Sequence, residues 1–291
     1  MKLTLGTAQF GLKYGISNND GKTPFEEVYK IIKYAESVGI NTIDTAPSYG
    51  ESEEVIGNII KNHNSFKVVT KIPPLNSPEI FYKDVNKLET SVHSSLRKLK
   101  CKNIYGVMIH NISDVFKKNG DRLYYKLLDL KNRGLINKIG FSVYDSDQID
   151  LLCNSFTFDI IQIPINVLDQ RLLKSGHLRK LKNLGIEIYA RSIFLQGLLL
   201  MEIENLPKNC QTIQQTLLEY HHFLEGNGIS QLDGALAFVK NIKEIDYIVI
   251  GVNNLKQLVE IKKSYDTKTK ANDNYKKFSC GNLDIIDPRR W

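Results

Sequence analysis

The 291-residue chain has no long hydrophobic run. Its apolar stretches, such as Tyr247 to Gly251, fall far short of the roughly 20 residues that a membrane-spanning helix needs. The opening residues, Met1-Lys2-Leu3-Thr4-Leu5-Gly6, enter a strand pattern directly, without the apolar core or cleavage site of a secretory leader. A cytoplasmic location is the expectation. Cysteine is scarce: Cys101, Cys153, Cys210 and Cys280 lie roughly 50 to 70 residues apart, and no pair has metal or redox spacing. They read as reduced thiols rather than a disulfide framework. There is no low-complexity tract and no shift in composition that would mark a linker. The net charge of +7 is not gathered into a basic stripe interleaved with aromatics. Lysines such as Lys174, Lys180 and Lys182 are scattered over helical faces, which argues against nucleic acid. An anionic cofactor or substrate uses that excess more economically. His221-His222 do not suggest a metal site, because adjacent residues on a helix face different ways. His63, His93 and His177 sit in polar helical contexts and are expected to be solvated.

What is present is a strict alternation of short apolar runs with longer amphipathic stretches. The candidate strands are Leu3–Ala8, Thr42–Thr45, Lys67–Ile72, Ile104–His110, Lys138–Val143, Ile160–Ile165, Glu187–Ser192 and Tyr247–Val252. Each is apolar almost throughout, as parallel strands buried on both faces must be. The first helical stretch starts at Thr23-Pro24, with Thr as cap and Pro in the first turn, and stops at Gly39. Others run from Glu51 to about His63, from Ser77-Pro78 to Lys100, and over Leu123–Arg133, Asp147–Cys153, Leu172–Asn183 and Leu255–Ser264. The seventh unit is irregular, with an extended stretch from Ile193 to Cys210 and then two helices, Gln211–Gly226 and Ser230–Asn241. Eight βα units in one chain predict an α/β fold, a single-domain (β/α)8 TIM barrel over residues 1–291, with extra helices after strand seven and a tail from 266. A doubly wound sheet fits less well, since no strand runs into a G-x-G-x-x-G turn. Trp291, the one tryptophan, follows Pro288 and is expected to pack back on the barrel.

In such a barrel the reactive groups stand at the C-terminal ends of the strands. Strand two ends at Asp44 with Tyr49 on its loop; strand three carries Lys71 and strand four ends at His110. Taken singly, Asp44 reads equally well as a loop cap, Tyr49 as a rim aromatic, Lys71 as a solvated lysine and His110 as a core histidine. Together they are more specific. A lysine in an apolar strand needs a counter-charge, and Asp44 on the next strand is placed to provide one. A phenol with an ordinary pKa near 10 is a sluggish proton donor at neutral pH. A nearby ammonium is expected to lower that value, and a histidine to hold a carbonyl oxygen.

The stretch D-T-A-x-x-Y-G followed by S-E-x-x-I-G, here Asp44 to Gly57, resembles the aldo-keto reductases, and the likeness runs from "LTLGTAQFG" to "IVIGV". The resemblance implies reduction of aldehydes or ketones with NADPH or NADH. It implies Tyr49 as proton donor, Lys71 and Asp44 as its activators, and His110 as substrate orienter. On the cofactor side it implies contacts from Gly6 and Thr7, from Ser142 and Gln162 to the carboxamide, from Arg191, Ser192, Gln196 and Gly197, and from Gly251, Asn253, Lys256 and Gln257. Asn166 and Asp169-Gln170-Arg171 also match.

There are departures from the family pattern. Val143 replaces a carboxamide-binding Asn, and Arg191 stands where many members stack an aromatic on the nicotinamide. The N-terminal hairpin is reduced or absent. In the last cofactor loop Asn253, Asn254 and Gln257 are neutral and only Lys256 is basic; NADPH is placed ahead of NADH. Lys13 and Tyr14 either line the substrate mouth or belong to a surface turn. Asn111, Gln170 and Arg191, read as mouth residues, point to a hydroxylated or anionic substrate such as a sugar or keto-sugar. The expected partner is a small carbonyl compound, with no nucleic acid, membrane or metal; the oligomeric state is open. Two other readings keep the barrel: a nucleotide-binding redox sensor with little turnover, and an aldolase using Lys71 as a Schiff-base lysine.

Overall fold

The uninterrupted apolar runs become strands buried on both faces. The computed structural model describes residues 1–60, 65–267, 269 and 273–291. Its strands are β1 (Lys2–Gly6), β2 (Thr42–Asp44), β3 (Lys67–Ile72), β4 (Ile104–Ile109), β5 (Ile136–Ser142), β6 (Ile160–Pro164), β7 (Glu187–Arg191) and β8 (Tyr247–Gly251). They form a closed parallel barrel in sequence order. β1 seals it against β8, in register from Lys2↔Tyr247 to Gly6↔Gly251. Helices lie between the strands, so the chain is the predicted (β/α)8 barrel. No described helix is long and apolar enough to cross a membrane.

Most of the apolar runs leave the ladder one or two residues earlier than the sequence suggests. Thr45, His110, Val143, Ile165 and Ser192 therefore begin loops rather than end strands. That shift places them at the mouth. At the opposite end, Tyr189 and Tyr247 stack with ring centroids 4.4 Å apart. Tyr105 joins them there and donates its hydroxyl to Glu187, so aromatic rings fill the barrel floor.

Several helix boundaries differ from expectation. Pro24, in an extended conformation, is itself the N-cap of the helix Phe25–Ser37; Thr23 instead donates its hydroxyl to Asn253 O, tying the first loop to the last. The helix expected from Ser77 starts at Tyr82. Asp84 organises that start by accepting from Phe81 N–H and from the Ser77 hydroxyl. The helix after β2 is described over Ser52–Ile60, and its expected end at His63 lies outside the described residues. The stretch Leu172–Asn183 breaks into Arg171–Lys174 and His177–Asn183, because Gly176 takes a φ of +79°. The segment after β7 is a chain of 3-10 turns rather than an extended strand, with Leu195, Gln196 and Gly197 all at positive φ. The tail folds back as expected: Trp291 packs on the core and donates Nε1–H to Asp284 O.

Candidate active site

The motif after β2 is legible as anchoring. Ser52 donates its hydroxyl to Thr7 O at 2.9 Å, and Glu53 accepts from the Thr70 hydroxyl at 2.7 Å, so Ser-Glu clamps the helix start to β1 and β3. Ile56 is fully buried, and a Cβ on Gly57 would lie 1.9 Å from Lys98 O, so that position must be glycine for the next helix to pack. Thr7 N–H and hydroxyl both donate to Asp44 O, at 3.1 and 3.0 Å. The strand end bearing Asp44 is thereby tied to Thr7, which Ser52 holds in turn.

Asp44 and Lys71 form the predicted pair. Lys71 Nζ donates to Asp44 Oδ1 and Oδ2 at 2.7 and 2.8 Å and to Thr45 O at 3.2 Å, which uses all three of its protons. Gln162 Nε2 donates to Asp44 Oδ1 at 2.7 Å, a contact the sequence did not suggest. All three side chains are buried. Tyr49 lies over this pair, with Lys71 Nζ 5.2 Å from its ring centroid. Its hydroxyl has no protein partner among the described residues and faces the cavity at the barrel mouth.

The electrostatics of Tyr49 differ from the sequence reading. Burial raises the phenol well above its ordinary value and the Asp44 carboxylate adds to the rise, while Arg191 opposes it. The lowering expected from Lys71 is not seen, because burial and the Asp44 carboxylate outweigh it. His110 is half-buried, and its buried Nδ1 has no hydrogen-bond partner among the described residues. Burial, then the charges of Lys71 and Arg191, push its pKa down to about 4, so the ring is neutral at pH 7.

A cavity of about 500 Å3 joins these groups to the loops after β1, β7 and β8. Gly6, Thr7, Asp44, Tyr49, His110, Gln162, Arg191, Ser192, Gln196, Gly197, Gly251, Asn253 and Gln257 line it, as does Tyr14. Three expected contacts do not. Lys71 lies beneath the floor of the cavity, Ser142 is buried in register with Gln162, and Lys256 is 85% exposed on the outer face of its helix. Asn111 turns its side-chain oxygen to Ser113 N–H, and Gln170 is fully buried, donating to Val167 O and Tyr275 O. Neither lines the cavity. Away from the site, His93 is exposed as expected, but His177 is tied to Ser175 and Asp150.

The segment over the cavity is fixed by polar contacts. Asn166 Nδ2 donates to Ser192 O at 3.0 Å, while its Oδ1 accepts from Leu168 and Asp169 N–H. A Cβ on Gly197, at φ +99°, would meet the Ser17 hydroxyl at 2.1 Å, so glycine lets the first and seventh loops touch above the cavity. The sequence reading missed Tyr144 and Glu260, which also line it. Tyr144 follows β5 by two residues, so the strand-end rule applied one position further would have found it. Arg289, whose Cζ lies 3.3 Å from the Tyr144 ring centroid, comes from the tail, and no local pattern announces it.

Comparison with known proteins agrees with this architecture. The aldo/keto reductase family model matches residues 2–278. The D-arabinose 1-dehydrogenase of Saccharomyces cerevisiae is 32% identical over 167 residues, which cover 54% of this chain and 48% of that protein. The match thus spans about half the length of that relative. Among solved structures, the glycerol dehydrogenase of Gluconobacter oxydans superposes with a TM-score of 0.71 at 23% identity, over 94% of this chain and 89% of its own. An aldo-keto reductase of Bacillus halodurans in its holo form gives a TM-score of 0.76 at 17% identity, over 100% and 95%. At those identities the two structures speak for the fold, and the family match speaks for descent. The chain belongs to the aldo-keto reductase family.

Proposed function

We propose that the protein, with residues 1–291 acting as one unit, reduces an aldehyde or ketone to the alcohol at the expense of NADH or NADPH. The observation that carries this reading is the buried Lys71–Asp44 pair beneath a cavity-facing Tyr49, with a neutral His110 on the same cavity. When bound, the nicotinamide supplies the hydride; every other requirement falls to side chains of this chain. The raised pKa keeps the Tyr49 phenol protonated at neutral pH, so the donor is loaded when an alkoxide develops. The phenolate left behind is stabilised by the charge of Arg191 beside it, and the Lys71–Asp44 pair lies under the ring. His110, being neutral, can donate an N–H to the carbonyl oxygen without competing for the proton.

The cavity suits a dinucleotide. It extends from Tyr49 past the positive-φ turn at Gln196-Gly197 to Asn253 and Gln257, and Asn253 Oδ1 is a buried acceptor with no partner among the described residues. Asn253 Oδ1 and the Glu260 carboxylate favour a sugar hydroxyl over a phosphate, and Lys256 points to solvent. Together they support NADH over NADPH, against the preference drawn from the sequence. The Schiff-base reading of Lys71 is disfavoured, since its ammonium is buried and makes three hydrogen bonds. We place the enzyme in the cytoplasm, on the reduced-thiol reading of its cysteines. Loss of NADH or NADPH absorbance across a panel of carbonyl compounds tests the activity. Tyr49→Phe is expected to lower turnover by about 100-fold or more while keeping cofactor affinity and thermal stability. Full activity in that variant would overturn the assignment.

A further inference from the structure

Three cations near the mouth are each matched by a carboxylate. Lys71 meets Asp44 at 2.7 Å, Arg171 Nε meets Asp169 Oδ1 at 2.8 Å, and Arg289 Nε meets Asp287 Oδ1 at 2.8 Å. Arg191 has no carboxylate within ion-pair distance among the described residues. Half-buried at the end of β7, it donates Nη2–H to Val143 O at 3.2 Å and Nη1–H to the Ser192 hydroxyl at 3.3 Å. A guanidinium has five N–H donors, so most of this fork is unused. Its plane is held in place: Cζ lies 4.2 Å from the Tyr144 ring centroid, and the same ring carries Arg289. Arg191 lines the cavity with Tyr49 and His110, and its charge is felt at both. Lys71 has its carboxylate partner at 2.7 Å, whereas Arg191 stands beside the phenol and the imidazole without an ion-paired carboxylate among the described residues.

A partly desolvated guanidinium without a counter-ion is unfavourable unless a ligand completes it, and its planar fork matches a carboxylate or phosphate. We infer that Arg191 anchors an oxyanion, carboxylate or phosphate, carried by the carbonyl substrate, and that Arg289 of the tail positions it through Tyr144. This inference rests on the reductase reading, and it narrows the substrate to an anionic aldehyde or ketone.

The test has a binding arm and a turnover arm. Succinate, glycerol 3-phosphate and neutral glycerol are titrated calorimetrically into the full chain, with and without NADH. One of the two anions should bind at least about tenfold more tightly than glycerol, and Arg191→Gln should remove that difference. In turnover, succinic semialdehyde is compared with butanal, and glyceraldehyde 3-phosphate with glyceraldehyde; the preferred pair tells carboxylate from phosphate. Arg191→Gln should shrink the anionic-to-neutral ratio of kcat/KM by about 10- to 100-fold, and Arg191→Lys should restore part of it. Arg289→Ala should raise KM for the anionic member with little change in kcat, as a positioning residue would. If no carbonyl is reduced, the reductase reading fails while the titrations still decide the role of Arg191. Equal binding of anions and glycerol by the wild type would overturn the inference. So would an Arg191→Gln variant that loses NADH affinity by the same factor as anion affinity, since the arginine would then serve the cofactor.

Discussion

Lys71 Nζ bridges both carboxylate oxygens of Asp44, at 2.7 and 2.8 Å, with both side chains almost wholly out of solvent. Gln162 adds a third donor to the same carboxylate. The pair is a buried ion pair in which each charge depends on the other. Lys71→Met leaves the Asp44 carboxylate with one side-chain hydrogen bond and no cation, and should destabilise the fold by about 3–5 kcal/mol. The double variant Lys71→Met/Asp44→Leu removes both charges and should recover most of that loss while remaining without turnover. Urea unfolding midpoints, compared at an unchanged slope, read this out. A single variant no less stable than the double would show that the pair carries no such dependence.

His110 gives a pH prediction with a definite sign. Its ordinary value is 6.5 and its folded value is about 4, so between them the unfolded chain binds a proton that the folded chain does not. Stability therefore rises with pH across that window: the contribution is complete above about 6.5 and is lost as pH falls toward 4. The His110 ring carbon signal in NMR should show no titration near pH 6.5. Between pH 7 and 4.5 the midpoint of thermal unfolding should fall more steeply in the wild type than in His110→Gln. A His110 signal that titrates near 6.5 would contradict the neutral ring.

The barrel was legible because parallel strands buried on both faces must be apolar throughout, and eight such runs alternate with helices here. Asp44, Tyr49, Lys71 and His110 each had a structural reading alone, and were singled out by their coincidence at adjacent strand ends and by the motif from Asp44 to Gly57. What escaped depends on distances through space. Gln162 reaches Asp44 across the barrel, 118 residues away in sequence, and Arg289 reaches Tyr144 from the tail. The expected lowering of the Tyr49 phenol failed because the sequence does not show how deeply the ring is buried, and burial, with the Asp44 carboxylate, raises it. Lys256 was misplaced because one residue of helical phase decides whether a side chain meets the cavity or solvent, and Gln170 because its amide is drawn into the core by Val167 O and Tyr275 O.

Lys256 makes that last point testable. It is 85% exposed and sits 3.9 Å from Glu260, an exposed pair of the kind that contributes little. Lys256→Ala should change the affinity for NADPH by less than about threefold. Asn253→Arg, which puts a guanidinium at the lined position, should strengthen NADPH binding relative to NADH. Fluorescence titration of both nucleotides measures each ratio. A large loss of NADPH affinity in Lys256→Ala would restore the sequence-based preference.

Gly11 ends the short helix Ala8–Gly11, and its backbone lies against the turn that presents Tyr49. A Cβ at this position would sit 1.7 Å from Tyr49 O, 2.7 Å from Ser52 N and 2.9 Å from Glu51 N. All three neighbours are backbone atoms, so no rotamer change relieves the overlap, and either the first loop or the Tyr49 turn must move. Overpacking of this kind costs about 1–3 kcal/mol, which a protein of ordinary stability survives. Because the turn also holds Ser52 against Thr7, movement there displaces the phenol relative to Lys71 and His110. Gly11→Ala should therefore stay folded by circular dichroism yet lose turnover by about 100-fold, the size expected when a catalytic group is misplaced by about 1 Å. Gly21→Ala serves as the comparison, since an added Cβ there meets nothing within 4 Å although its φ is +82°. It should lose stability through backbone strain but keep most of its turnover. If Gly11→Ala behaves like Gly21→Ala in both measurements, the contact between the first loop and the Tyr49 turn does not set the position of the phenol.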